Sequence, residues 1–165
     1  GRPMNKRGHV LNALLLSIGI GYLLEPAGDV ATFEMIAKVS VPMVLGALFP
    51  DVDTAFGPHR KALHNLFVLG VIAAYPVSFG NLQYVWIGVL SHYALDMLGT
   101  RRGLALLYPL LDREFDVPIG VRVDSKYSSA MMFAVTGFEL VIAAAIIYRV
   151  PQRATEAGVQ MAGFA

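Results

Sequence analysis

The 165-residue sequence contains no cysteine. That excludes disulfides, thiolate metal sites and a cysteine nucleophile, so any bound metal must be held by nitrogen and oxygen. Charge is scarce as well. Asp, Glu, Lys and Arg make up 15% of the chain, against roughly 25% in an ordinary soluble domain. Thirteen basic and twelve acidic residues leave a net charge of +1, which gives no basis for wholesale nucleic-acid binding. What is abundant is apolar: 56% of residues are hydrophobic and the mean hydropathy is +0.58. No small-x-small site follows the first apolar run, so no cleavable signal peptide is expected, and Gly1-Arg2-Pro3 before Met4 reads as a cloning remnant.

Five apolar runs follow one another: Val10–Leu24, Ala31–Phe49, Asn65–Phe79, Leu82–Gly99 and Ser128–Tyr148. They are closed in turn by Glu25-Pro26-Ala27-Gly28-Asp29, Pro50-Asp51, Gly80-Asn81, the stretch after Gly99, and Arg149 with Pro151. A straight membrane span takes roughly 20 residues, so the first and third runs need flanking residues or a thin bilayer. The expected fold is all-α: a polytopic membrane bundle of about five transmembrane helices over residues 1–150, with a flexible tail over 151–165 that is small and polar. Basic residues orient it. With the N-terminus cytoplasmic, Arg2, Lys6, Arg7, Arg60, Lys61, Arg101, Arg102, Arg113, Arg122 and Lys126 lie inside, and only Arg149 and Arg153 lie outside.

The same orientation gathers the histidines and several carboxylates into one slab at the inner leaflet. The stretch Ser91–Thr100 places His92 and Asp96 four residues apart, on one face of an apolar helix. Such a pair can share a metal ion or a proton, or simply stiffen the bundle by a buried hydrogen bond. His9 begins the first run, and Asp51-Val-Asp53 follows the second. His59 and His64 precede the third. Each has a bland reading. Asp51 and Asp53 would equally cap a turn, His59-Arg60-Lys61 would be a solvated loop, His64-Asn65 would cap a helix, and His9 would sit among headgroups. Glu34, Lys38 and Glu139 read as a separate set, with Lys38 paired to one of the glutamates. Arg101 and Arg102 precede Leu104–Leu111, a short interfacial segment, and Phe115–Asp124 alternates weakly enough to suggest a hairpin lid.

Gly8-His9, Leu48-Phe49-Pro50-Asp51-Val52-Asp53, His59-Arg60-x-x-x-His64, Leu90-Ser91-His92-Tyr93-Ala94-Leu95-Asp96 and Leu107-Tyr108-Pro109 occur in this order. Over roughly residues 8–120 this resembles the YdjM-like family of LexA-binding, inner-membrane-associated metal-dependent hydrolases. The motifs are specific in combination. The loop departs from the family's usual Thr-His-Ser, having Leu63-His64-Asn65 instead, which removes two hydroxyls. The ligand order is also similar to the start of that in zinc-dependent phospholipase C, but no histidine follows His92, so one or two metals are expected rather than three. The upstream Ser-Arg and Pro-Ser-Gly-His of membrane phosphatidic-acid phosphatases are missing.

The resemblance implies a multi-pass inner-membrane hydrolase. Added to the residue reading, it points to metal-activated water acting on a phosphoester of a lipid or lipid-linked substrate. Asp51, Asp53, His64, His92 and Asp96 are then the expected ligands of one or two divalent ions (Zn, Mn or Mg). His9 and His59 serve as further ligands or proton carriers, and Arg60, Arg101 and Arg102 are candidates to hold the substrate phosphate, although ordinary positive-inside anchoring is the favoured reading of the last two. Membrane lipids and a small-molecule or lipid substrate are the expected partners, not nucleic acid. Two rivals stand beside this: a metal or proton transporter using the same ligands as a pathway, and a membrane-anchored regulatory binding protein.

Overall fold

The computed structural model describes residues 6–55, 60–79, 83–98, 103–116, 127–161 and 163. Six α-helices are present: α1 (Lys6–Leu24), α2 (Val30–Leu48), α3 (Leu66–Phe79), α4 (Val85–Leu98), α5 (Ser128–Ile147) and α6 (Val150–Met161). A 3-10 turn, Pro50–Ala55, follows α2. Among the described residues the β-structure is one isolated antiparallel bridge, Leu104 to Phe115. The all-α expectation holds, and the five apolar runs become α1 to α5 with ends shifted by a few residues. The stretch expected as a flexible tail is instead helical over Val150–Met161. Arg, Gln, Ala, Glu and Met are good helix formers, and Pro151 stands in the first turn, where its missing N–H costs nothing.

The turn between α1 and α2 follows from its sequence. Gly28 takes the left-handed conformation at φ +73°. Asp29 then caps α2, accepting from the backbone N–H groups of Ala31 at 3.0 Å and Thr32 at 3.3 Å. Thr32 locks the reversal by donating to Glu25 O at 2.5 Å and accepting from Gly28 N at 2.9 Å. The two helices therefore run antiparallel, with Ala13, Leu16 and Ile20 of α1 packed on Val39, Met43 and Ala47 of α2. On the other side of α1, Leu140 of α5 occupies the space a side chain at Gly19 would need.

α2 and α4 approach closely. A Cβ on Gly46 would strike the carbonyl of Val85, and one on Gly88 would strike the carbonyl of Met43. Reciprocal glycines thus let the two backbones touch, the small-residue contact that joins helices where lipid removes the usual hydrophobic drive. The outward faces carry Phe33, Val41, Leu45, Phe138, Val141 and Ile146, all exposed. Apolar residues inside and outside are the signature of a bundle in lipid. By length and composition, Lys6–Leu24, Val30–Asp53 and Ser129–Ile147 are long enough to cross a bilayer; α3 and α4 are shorter apolar helices.

Candidate metal centre

Among the seven buried residues of α4, Gly88, Ser91, His92, Leu95 and Asp96 fall at the i, i+3, i+4, i+7, i+8 spacing of a helical stripe, with Val89 and Tyr93 buried beside it. Gly88 seats α4 on α2, and one turn later this contact places the His92 ring against the end of α2. His92 Nδ1 lies 2.6 Å from the Ala47 carbonyl. A carbonyl only accepts, so Nδ1 carries the proton and a neutral ring turns the lone pair of Nε2 inward.

His64 is positioned by a different frame. Asn65 caps α3, its Oδ1 accepting from Val68 N at 3.0 Å while its Nδ2 donates to the carbonyls of Lys61 and Ala62 at 2.9 and 3.0 Å. An amide here does the capping that a serine would do. The Tyr93 hydroxyl donates to Leu63 O at 2.5 Å. Behind the loop runs the buried segment Leu104–Ala105, with Ala105 N donating to Arg60 O at 3.3 Å and Leu66 N to Leu106 O at 2.8 Å. His64 Nδ1 then faces Asp53 Oδ2 at 2.8 Å, and its Nε2 points to the same place as that of His92.

The two Nε2 atoms lie 3.1 Å apart. Asp96 Oδ2 is 3.2 Å from His64 Nε2 and 3.3 Å from His92 Nε2, and Asp51 Oδ1 is 3.5 Å from His92 Nε2. Asp51, His64, His92 and Asp96 each offer one ligand atom, all within 4.8 Å of one another. With each Nδ1–H donated to its outward acceptor, four lone-pair donors converge on one point. Such an arrangement is repulsive unless a cation or added protons fill it. Two imidazoles and two carboxylates, without sulfur, suit a divalent ion of the first transition row or magnesium. These residues fit a metal.

The remaining expected residues fall around this centre. Asp53 lies behind His64 rather than among the four converging atoms, the carboxylate–histidine pairing that orients a metal ligand. His9 is buried, stacked on His92 with ring centroids 3.8 Å apart, and its Nε2 is 3.3 Å from Asp96 Oδ1. Its Nδ1 has no hydrogen-bond partner among the described residues. Arg60 is buried with φ +69° and so is not a solvated loop residue, while the partly exposed Lys61 pairs with Asp112 at 2.6 Å. His59, Arg101, Arg102 and the greater part of the suggested lid (117–124) lie outside the described residues. The ligands are closed off except at Asp51, whose side chain is 14% exposed while those of His64, His92 and Asp96 are at most 1%.

Two polar residues that the sequence reading passed over, Asn12 and Thr136, join Ser91 and Glu139 in a second polar cluster. Asn12 Nδ2 donates to Thr136 Oγ1 at 2.7 Å, Asn12 Oδ1 contacts Ser91 Oγ, and Ser91 Oγ lies 3.2 Å from Glu139 Oε2. Glu139 therefore meets Ser91 rather than Lys38, which is on the exposed surface of α2 with Glu34. The available signal was spacing: Asn12 stands three residues from His9, and Ser91 beside His92.

Neither the curated proteins nor the solved structures compared with the chain give a match. The model of the YdjM inner membrane protein family does match, over residues 4–161, and the chain, a helical membrane protein with a two-His, two-Asp cluster able to hold a metal, belongs to that family.

Proposed function

We propose that this protein is a multi-pass inner-membrane hydrolase that cleaves a phosphoester of a lipid or lipid-linked substrate with metal-activated water at the cytoplasmic face. The observation that carries the reading is the convergence of Asp51, His64, His92 and Asp96, each His fixed from behind by Ala47 O or Asp53. A divalent cation held there supplies Lewis-acid polarisation of a phosphoryl oxygen and acidification of a water. The chain does the rest. His64 and His92 offer neutral nitrogens of fixed orientation, Asp51 and Asp96 supply balancing negative charge, and the apolar surround strengthens both. His9, stacked on His92 and facing Asp96 Oδ1, keeps the other carboxylate oxygen turned to the centre. Arg60, with Arg101 and Arg102, completes the site by binding the substrate phosphate.

The orientation supports a cytoplasmic site. The start of α1, the end of α2, the start of α3 and the end of α4 meet in one cluster, at the end of the bundle where Lys6, Arg7, Arg60 and Lys61 lie. Five crossings follow if the 14-residue α3 and α4, about 21 Å long at ~1.5 Å per residue, span locally thinned bilayer. Of the three ionisable residues farther along the helices, Glu34 and Lys38 lie on the exposed face of α2 and only Glu139 lies beneath the cluster, which weighs against a transport pathway lined by charged groups.

Protein purified without added metal is expected to contain stoichiometric divalent cation, lost in His92→Ala and in Asp96→Asn, and to hydrolyse a phosphoester in a metal-dependent way. A parent protein that holds no metal even after reconstitution overturns the reading. Cation flux in proteoliposomes with no phosphoester cleaved would make it a transporter. Capture of a regulatory protein that survives loss of the ligands would make it a binder.

A further inference from the structure

Beneath the metal ligands, α1, α4 and α5 share a second polar cluster: Asn12, Ser91, Thr136 and Glu139. Counting protons along it fixes its direction. Thr136 Oγ1 donates to Met132 O at 2.8 Å. Having one proton, it can only accept from Asn12 Nδ2 at 2.7 Å. The Asn12 amide is thereby turned so that its Oδ1 faces Ser91, and the close Ser91–Asn12 contact takes the single Ser91 proton. Ser91 Oγ also stands within donating distance of Glu139, 3.2 Å from Oε2, but with its one proton on the closer Asn12 contact it has only a lone pair left for Glu139. A carboxylate there would face oxygen lone pairs with no donor between them. Among the described residues no cation pairs with Glu139, and an unpaired charge inside a bilayer is costly. A proton on Glu139 resolves both difficulties at once, donating to Ser91 Oγ.

We infer that Glu139 is a neutral, protonated carboxyl that starts a one-way chain of hydrogen bonds, Glu139 to Ser91 to Asn12 to Thr136 to Met132 O, and that this chain is a positioning device for the metal centre. Its members sit where that matters. Ser91 precedes the ligand His92, and Asn12 follows His9 by three residues, about 4.5 Å along α1 at ~1.5 Å per residue. α5 contributes nothing to the ligand set, yet through Thr136 and Glu139 it ties together the two helices whose imidazoles stack at 3.8 Å. Titratable groups near the chain on the neighbouring helices are His9 on α1 and His92 on α4, both turned to the metal centre. The inference that the chain positions a metal site rests on the proposed function, whereas the protonation of Glu139 does not.

The test uses the full-length protein in detergent or lipid. A parent-minus-Glu139→Gln infrared difference spectrum should show the C=O band of a protonated carboxylic acid at neutral pH, with or without metal. Glutamine is close in shape to the protonated acid and keeps a donor, so Glu139→Gln should bind zinc within about threefold of the parent. Asn12→Ala and Glu139→Ala should weaken zinc binding at least about tenfold, and in Co²⁺-loaded protein they should alter the visible ligand-field spectrum, which Glu139→Gln leaves as it is. No carboxylic-acid band, or a Glu139→Gln variant as defective as Glu139→Ala, overturns the inference. A band present in protein that binds no metal refutes the positioning role and the proposed function, while the neutral carboxyl stands.

Discussion

A histidine serves a cation only through the nitrogen its neighbours leave bare, and this chain uses two different neighbours to leave Nε2 bare. For His92 the neighbour is a backbone carbonyl, Ala47 O; for His64 it is the carboxylate of Asp53. The distinction has a testable consequence. Asp53→Asn keeps every direct ligand but weakens the hold on the His64 ring, so divalent-metal affinity should fall about 10–100-fold without vanishing, as measured by competition with a chromogenic chelator. His64→Ala should abolish binding in the same assay. Residue identities were legible in the sequence as far as type and order go: His64, His92, Asp96 and Asp51 were all singled out. The roles within the set were not. Nothing in the spacing Asp51-Val-Asp53 says which carboxylate reaches the ion, because in a 3-10 turn residues two apart point in different directions. Ala47 carries no polar side chain, so its part could not be read at all.

The crossing of α2 and α4 matters to the site because three of its four ligands, Asp51, His92 and Asp96, hang from it. Gly46 and Gly88 each face the other helix's backbone, and His92 lies one turn beyond Gly88. Gly88→Val should push the helices apart, destabilise the fold by about 1–3 kcal/mol and remove metal binding, seen as a lower thermal midpoint and loss of bound zinc. Gly70→Ala is the control: nothing lies within 4 Å of a Cβ there, so neither readout should fall. The helices themselves were visible in the sequence, since long apolar runs between Pro, Gly and charged turns leave few alternatives. Two things were hidden. The close approach of α2 and α4 depends on which glycines face each other, which periodicity alone does not reveal. The polar chain of Asn12, Ser91, Thr136 and the half-buried Glu139 was hidden because its members are spread over three helices.

As a whole the molecule places both ends of its helices where the orientation can be checked. The Tyr148 hydroxyl at the end of α5 donates to Leu23 O at 2.9 Å, so the α1–α2 turn and the end of α5 share the side opposite the metal centre. The absence of cysteine makes the chain a ready background for labelling. Ala27→Cys, in the exposed α1–α2 turn, should react with an impermeant maleimide from outside intact cells, and Ala55→Cys only after lysis. The reverse pattern would invert the topology. Metal should also stabilise the whole fold: free ion at about 100 times its dissociation constant adds about 2.7 kcal/mol, so a chelator should lower the thermal midpoint and excess metal restore it. The site's anatomy adds an order of events. Its four ligand side chains come from residues 51, 64, 92 and 96, so no complete binding place exists until α4 has joined the earlier helices. An ion held there would thus arrive late and certify assembly, and chains made during metal starvation should accumulate in the membrane as a looser, more readily degraded form.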